Sequence, residues 1–341
     1  MATTASPVSK VSTEIFSVFF RERALDCHWL AQTDTSRTLS HVCRQWRYIA
    51  IDDPLLWNAI HLGTGTEGEV LFEKLCFERS KQTGLDIFYS DNREDYPHST
   101  RQDIIYNRSG FRDLLEPFDP TILHLSRCRQ LRLYFMSRAC AFAVLSALKT
   151  ASAPRLTHIE IVVDCGSNAS HRIHWPRPGD IFTGGASLLT FVDLRAISPL
   201  QCHIPLQRVT TLVLNTQQTY NEQCADLNSS ELVKILREVA PTLQHLKLKG
   251  NPVLQQGDHL IQWPELELPA LLKFVFGATL DDEGLRRYLG SVCKFLVMPS
   301  LEDLNIFHLD HLPVGEAWAA LNGKLGARIK YLALHLELDD V

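Results

Sequence analysis

The chain has 341 residues, 45% of them hydrophobic and 21% charged, with a formal net charge of -5. This composition is that of a foldable chain with room for two ordinary domains or one long repeat array, not of a disordered one. The negative balance leaves no basic footprint for nucleic acid, and no apolar run is long enough to cross a bilayer. Met1 to Lys10 are small and polar and lack an apolar signal core. A cytoplasmic or nuclear protein is therefore expected, without membrane or nucleic-acid partners.

The first informative stretch runs from Leu39 to Trp57. Leu39, Val42, Cys43, Trp46, Ile49 and Ala50 recur at steps of three and four, which is one apolar face of a helix. Arg44, Gln45, Arg47 and Tyr48 fill the other face. Asp52, Asp53 and Pro54 end the helix, because proline biases the residue before it away from helical geometry; Leu55, Leu56 and Trp57 come at once after it. So short a helix is unstable alone in water, and its apolar face needs a packing partner in this chain or in another. The simplest alternative is an ordinary amphipathic helix capping its own domain.

Leu-Ser-x-Val-Cys-Arg-x-Trp-Arg-x-Ile-Ala followed by Asp-Pro-x-Leu-Trp resembles the second half of an F-box-like motif, most closely that of the large F-box-like family of mushroom-forming fungi. The first half normally reads Leu-Pro-x-Glu-Ile-Leu-x-x-Ile-Phe. Here Val11 to Phe20 supply the Glu14-Ile15 pair and the terminal aromatic, while Val11 and Ser12 stand in place of Leu-Pro. The insert from Arg21 to Thr38 is longer than in compact F-boxes, and the match covers under a fifth of the chain. The resemblance implies a substrate-recruiting subunit of a cullin–RING ubiquitin ligase. In that family the F-box helices pack on a Skp-family adaptor, which joins the cullin complex, and a second domain holds a protein substrate. Mapped onto matching positions, the adaptor face includes Ile15, Phe16, Leu39, Val42, Cys43 and Trp46, with Pro54, Leu56 and Trp57 seating the motif on the first repeat of the second domain. The domain boundaries read this way are 1-62 for the helical part and 63-341 for the remainder.

From about residue 125 a Leu-x-x-Leu-x-Leu unit recurs. It appears as Cys128-Leu131-Leu133, Leu156-Ile159-Ile161, Leu189-Val192-Leu194 and Val209-Leu212-Leu214. It continues as Leu243-Leu246-Leu248, Leu271-Phe274-Phe276, Leu301-Leu304-Ile306 and Ile329-Leu332-Leu334. Successive units begin 28, 33, 20, 34, 28, 30 and 28 residues apart, at or slightly above the period of about 20 to 29 in leucine-rich repeats. Apolar residues two apart share one face of a strand, and prolines such as Pro154, Pro241, Pro269 and Pro299 stop the element before them and start the extended segment. Leu85 to Tyr89 reads as an irregular earlier strand. Helical spacing marks Phe142 to Leu148, Ser230 to Val239, Asp281 to Val297 and Glu316 to Leu325, whereas the 20-residue step leaves Ser198 to Pro205 as a loop or short turn. The long stretches Ser90 to Ser109 and Gly166 to Gly185 read as loops. The expected fold is α/β: a short N-terminal helical domain, then an irregular right-handed solenoid with a parallel sheet. A doubly wound α/β domain would use similar elements without the repeated spacing.

The chemistry-bearing residues do not assemble into an active site. Nine cysteines are scattered singly with no Cys-x-x-Cys, which suits buried free thiols rather than disulfides or metal ligands. His308-x-x-His311 around Asp310, and His171-x-x-His174 beside Trp175, lack a third ligand at a recognisable spacing. Gly184-Gly185 is too little for a phosphate loop. An enzyme, a metal site and a cofactor are accordingly not expected. The strand phase instead places Arg132, Glu160, Asp193, Val213, Lys247, Val275, Asn305 and Ala333 on a concave sheet, next to Tyr134, Val162, Arg195, Asn215, Lys249, Gly277, Phe307 and His335. Charges of both signs mixed with apolar and aromatic residues suit a protein or peptide partner. Arg132, Glu160, Lys247, Val275, Asn305, Phe307 and His335 are the candidate contacts with an unknown substrate. The rival readings are a leucine-rich-repeat interaction scaffold without a ligase role, whose helices only cap the repeat, and, more remotely, a hydrolase formed by the long loops.

Overall fold

A computed structural model describes residues 11–25, 29–63, 67–91, 118–136, 138–163, 179–215, 229–250, 265–277, 295–307 and 329–335. It is mixed α/β with a large parallel sheet, and it divides into two compact units, Met1–Arg132 and Leu133–Val341. The boundary read from the sequence at 62/63 falls inside the first of them. No helix among the described residues is long and apolar enough to cross a membrane.

The first unit opens with helices α1 (Thr13–Leu25), α2 (Trp29–Val42) and α3 (Arg44–Asp52), then a 3-10 turn at Pro54–Trp57. Strand β1 (Ala59–Leu62), helix α4 (Glu67–Arg79), strand β2 (Leu85–Ser90) and helix α5 (Asp119–His124) come next. β1 and β2 are parallel, with Ile60 opposite Ile87. At the end of β1 the backbone comes so close to β2 that a Cβ on Gly63 would sit 1.8 Å from the Ser90 carbonyl oxygen. Gly63 also has φ +113°, so glycine is required there on both counts.

The apolar periodicity from Leu39 to Ala50 predicts one helix, but the structure breaks it at Cys43. That residue is extended (φ -155°, ψ 173°) and caps α3, its Sγ accepting from the Trp46 N–H at 3.4 Å. The segment Arg21 to Thr38, read as an insert, is likewise mostly helix. The side of α2 that faces inward is a stripe of hydroxyls: Thr33 donates to the Ala59 carbonyl at 2.6 Å and Ser36 to the Leu56 carbonyl at 2.7 Å. With Ser40 these residues are buried, and their hydrogen bonds remove the cost of burying polar groups. Apolar periodicity cannot register such a face.

Strand β3 (Cys128–Phe135) runs across the boundary between the units. The second unit continues with α6 (Arg138–Ala147), β4 (His158–Val163), β5 (Phe191–Arg195), α7 (Pro199–Cys202), β6 (Thr211–Asn215) and α8 (Ser229–Val239). Then come β7 (His245–Lys249), β8 (Leu266–Glu267), β9 (Lys273–Gly277), β10 (Leu296–Val297), β11 (Asp303–Phe307) and β12 (Tyr331–His335). β4, β5, β6, β7, β9, β11 and β12 lie side by side in that order, every pair parallel. β8 and β10 form a separate two-stranded parallel pair. Leu296 and Val297, expected to end a helix from Asp281, are therefore strand, and the rest of that expected helix lies outside the described residues. So do the expected helix from Glu316 and most of the two long loops.

Strands β5, β6, β7, β9, β11 and β12 enter the sheet in the same way. The Thr157 carbonyl accepts from the N–H groups of both Thr190 and Phe191, and Thr190, Thr210, Gln244, Leu272 and Glu302 repeat this on the following strands, at 2.8 to 3.0 Å. Each acceptor comes immediately after the first apolar residue of its unit. Those first residues close a turn onto a carbonyl three positions back, as Leu156 does on Ala153, Leu189 on Ala186 and Leu271 on Leu268. All three apolar members of the seven units from Cys128 to Ile306 are buried. The eighth differs: Leu332 is 43% exposed, and among the described residues β12 pairs only with β11. α8 buries Leu232, Ile235, Leu236 and Val239 as its spacing predicts, and Ser198 to Pro205 holds only the one-turn helix α7. Cys76, Cys128, Cys140 and Cys202 are buried free thiols, whereas Cys43 is exposed. Burial pushes the thiols of Cys76 and Cys202 up to about 12, which leaves them protonated and unreactive at neutral pH.

Candidate functional site

Two surfaces, one in each unit, carry residues that the sequence singles out. In the first unit α1 shows two apolar stripes. Phe16, Phe20 and Ala24, at spacing i, i+4, i+8, turn inward and are buried. Phe20 meets Trp46 of α3 at 4.9 Å between ring centroids, and Phe16 meets it at 5.8 Å. Arg21 clamps Asp53, beyond the end of α3, through two hydrogen bonds of 2.7 and 3.1 Å. α1 and α3 thus hold one another through an aromatic cluster of Phe16, Phe20 and Trp46. Ile15, Val18 and Phe19, at spacing i, i+3, i+4, turn outward and are 62%, 57% and 56% exposed. Val42, at the end of α2, and Tyr48 and Ile51 on α3 are exposed too.

Of the six positions mapped to an adaptor face, Ile15, Val42 and Cys43 are therefore on the surface. Phe16 and Leu39 are buried within the helical cluster, and Trp46 is half-buried against Phe16 and Phe20. Adjacent helical residues point about 100° apart, so Ile15 and Phe16 cannot serve the same face. Val18 and Phe19, absent from the mapped set, complete the outward stripe. Their spacing from Ile15 is visible in the sequence but competes with the equally regular Phe16-Phe20 pair. Leu56 and Trp57 pack inside the first unit, Trp57 edge-on to Phe72 of α4.

The same unit holds a pocket lined in part by Thr33, His61, Asp86, Phe88, Gln130 and Arg132. His61 stacks on Phe88, with centroids 4.7 Å apart. Burial lowers its pKa, against smaller raising effects from Asp34 and Glu69. The folded protein thus favours the neutral imidazole, and just below pH 6.5, the ordinary value, only the unfolded chain takes up a proton. Stability from this group is intact above that value and falls as pH drops towards the lowered pKa. Asp86 works oppositely: burial raises its pKa, so the fold gains stability as pH falls through the carboxylate range. Melting temperatures measured from about pH 7.5 to 5.5 should decline, and His61→Phe, which keeps the stack, should flatten that limb. An unchanged slope in the variant would remove His61 as the cause.

In the second unit the strand register sets the outer face of the sheet in rows. Glu160, Asp193, Val213, Lys247, Val275, Asn305 and Ala333 stand opposite one another in sequence order, as do Val162, Arg195, Asn215, Lys249, Gly277, Phe307 and His335. These are the predicted rows from β4 onward, without their first members Arg132 and Tyr134 on β3, and each alternates with buried core residues along its strand. Arg132, on β3, closes the first unit. Arg195 binds Asp193 at 2.9 Å and Glu160 at 3.0 Å, while Lys273 binds Asp303 at 2.6 Å. Asp193 and Val213 are more buried than an open sheet face requires. Phe307 is half-buried rather than in the core. Val275 lies diagonal to it, next to its in-register partner Gly277. His335 is in register with Phe307, as the spacing predicts.

The histidine pairs His171/His174 and His308/His311 lie outside the described residues. Among the described residues no group of three or more His, Cys, Asp or Glu side chains is placed to hold a metal ion. No protein-family model matches the chain, and neither does any curated protein.

Proposed function

We propose that this chain is a substrate-recruiting, F-box-type subunit of a cullin–RING ubiquitin ligase. It docks a Skp-family adaptor on its N-terminal helices and presents a protein substrate on the sheet of an irregular, right-handed leucine-rich-repeat-like solenoid. The observation that carries the reading is the outward stripe of Ile15, Val18 and Phe19 on a helix whose inward rings, Phe16 and Phe20, already pack on Trp46 of α3. Three large apolar side chains repeating on one helix face, each more than half exposed, suit a partner helix or groove. The repeated entry geometry of the rungs supports the solenoid, since stacked identical turns are what such an array is built from.

Co-precipitation with a purified Skp-family adaptor tests this. The natural chain should bind, and Phe19→Asp and Val42→Asp should each abolish binding while leaving the melting temperature unchanged. A carboxylate driven into an apolar interface costs several kcal/mol, but at these exposed positions it costs the free protein little. Phe19→Leu should bind nearly as well as the natural chain. No binding by the natural chain, or full binding by both aspartate variants, would favour the scaffold without a ligase role.

A further inference from the structure

Four elements build the pocket of the first unit. β1, β2 and β3 lie side by side in that order, and alternation along each strand sets Ile60, Ile87 and Leu131 in the core. The residues flanking them, His61, Asp86, Phe88, Gln130 and Arg132, line the pocket, and α2 adds Gln32. All belong to the first unit. The pocket volume is about 240 Å³, below the ~300 to 1,000 Å³ of clefts that take drug-sized ligands. There is room for one ring or one side chain.

The charged groups of the pocket are engaged, whereas its neutral groups have unused capacity. Asp86 accepts from Arg129 through Oδ2 at 2.8 Å, and the charge of Arg132 acts on it too. Arg132 donates to Gln130 Oε1 at 2.9 Å. A guanidinium can only donate, so this contact turns the Gln130 amide oxygen towards Arg132 and leaves the Gln130 NH2 group without an acceptor among the described residues. Gln32 donates through Nε2 to Asn58 Oδ1 at 3.3 Å, which leaves its Oε1 without a donor among them. Burial favours the neutral form of His61, and its imidazole, stacked on Phe88, makes no hydrogen bond among the described residues either. Asp86 Oδ1 is buried and has no hydrogen-bond partner. Walls with unused donors and acceptors hold water or a ligand that pairs with them.

A cation in this pocket meets Arg132 and an anion meets Asp86, so either charge faces its like. An uncharged group with a donor and an acceptor on different atoms avoids both penalties and can address α2 and β3 together. We propose that the pocket binds a primary carboxamide on an apolar stem, its NH2 donating to Gln32 Oε1, its oxygen accepting from the Gln130 NH2, and its stem lying against Phe88. Such a group comes from two sources, a glutamine side chain of a bound protein or a free small amide, and separate probes distinguish them. The inference does not rest on the adaptor reading, since no residue of the pocket belongs to the outward stripe of α1.

The test uses the full chain and saturation-transfer NMR with four matched probes: benzamide, benzoate, benzylamine and acetophenone. Benzamide should bind. Benzoate has no donor, benzylamine no acceptor, and acetophenone leaves Gln32 unpaired, so each should bind at least about tenfold more weakly. Gln130→Glu keeps a partner for Arg132 but replaces the free donor by an acceptor, and should lose benzamide while a thermal melt shows the chain folded. Gln32→Met, which removes the acceptor without adding charge, should weaken benzamide at least about tenfold as well. Gln82→Glu, exposed and outside the pocket, should bind as the natural chain does. Peptides with a central glutamine, glutamate or lysine identify the source. Binding of the glutamine peptide alone among the three assigns the pocket to a protein side chain, and benzamide binding without peptide binding assigns it to a free amide. Equal binding of all four probes or all three peptides, no binding of benzamide or the glutamine peptide, or full benzamide binding by both pocket variants overturns the proposal and leaves a water-filled pocket. Adaptor co-precipitation by Gln130→Glu should match that of the natural chain, which keeps failure of this site distinct from failure of the ligase role.

Discussion

Leu246→Ala and Leu304→Ala should each lower the unfolding free energy by about 2 to 5 kcal/mol, whereas Lys247→Ala and Asn305→Ala should each change it by less than about 1 kcal/mol. The contrast arises from one residue's displacement along a strand, which moves a side chain to the other face of the sheet. Leu246 and Leu304 are fully buried. Leu246 sits between Leu212 and Phe274, and Leu304 between Phe274 and Leu332, in parallel register. Backbone hydrogen bonds to the strands on both sides hold that spacing, so the cavity left by truncation cannot collapse, and the loss goes beyond the transfer energy of the removed atoms. Lys247 and Asn305 are half-exposed. Removing Lys247 relieves repulsion from Lys249, and removing Asn305 loses one hydrogen bond to Asp303. Denaturant melts of the four variants check this; equal losses at all four would place the strands in the wrong phase.

That phase was legible in the sequence because it is written in apolar residues. Seven successive Leu-x-x-Leu-x-Leu units name the buried positions, and alternation then gives the rows facing away from the core. The same reasoning fails where burial is accomplished by other chemistry. α2 buries Thr33, Ser36 and Ser40 by donating their hydroxyls to carbonyls, and so reads as a polar insert. α4 places Leu71 and Leu75 outward while burying Glu73, Cys76 and Phe77, which leaves no clean stripe to detect. β1 is four residues long with one half-exposed histidine, too short for a periodicity of two to stand out. The break at Cys43 depends on a thiol accepting a backbone N–H, an unusual capping group beside serine, threonine, asparagine and aspartate. The candidate sites divide on the same line. The register of the sheet-face rows from β4 to β12 was legible, though not the burial of Asp193 and Val213, whereas the helical face was blurred by two interleaved apolar stripes on α1, and only packing shows which stripe α3 occupies.

Trp57→Ala should destabilise the first unit by about 3 to 5 kcal/mol, the largest loss expected from any single truncation in it. Trp57 is fully buried, and three separate contacts converge on its ring system. Its indole N–H donates to the Ala50 carbonyl at 2.7 Å, in the last turn of α3, satisfying one of the orphan acceptors of that helix end. Phe72 of α4 meets the ring edge-on at 6.2 Å, and the Arg79 guanidinium lies 4.5 Å from its centroid. One side chain therefore ties α3 to α4, with Arg37 of α2 in turn over Phe72 at 5.3 Å. Trp57→Phe separates the contributions. It keeps an aromatic ring against Phe72 and Arg79 but leaves the Ala50 carbonyl unpaired, and should cost about 1 to 3 kcal/mol. The two variants also distinguish folding from recognition. Trp57→Ala should weaken adaptor binding only in step with its lowered melting temperature, and binding should recover on cooling. Phe19→Asp should abolish binding at a melting temperature that has not moved. If Trp57→Ala melted with the natural chain, the closure of the helical cluster would have to come from the Phe16, Phe20 and Trp46 rings alone. The outward stripe on α1 would then owe its position to that cluster and not to the packing of α3 on α4.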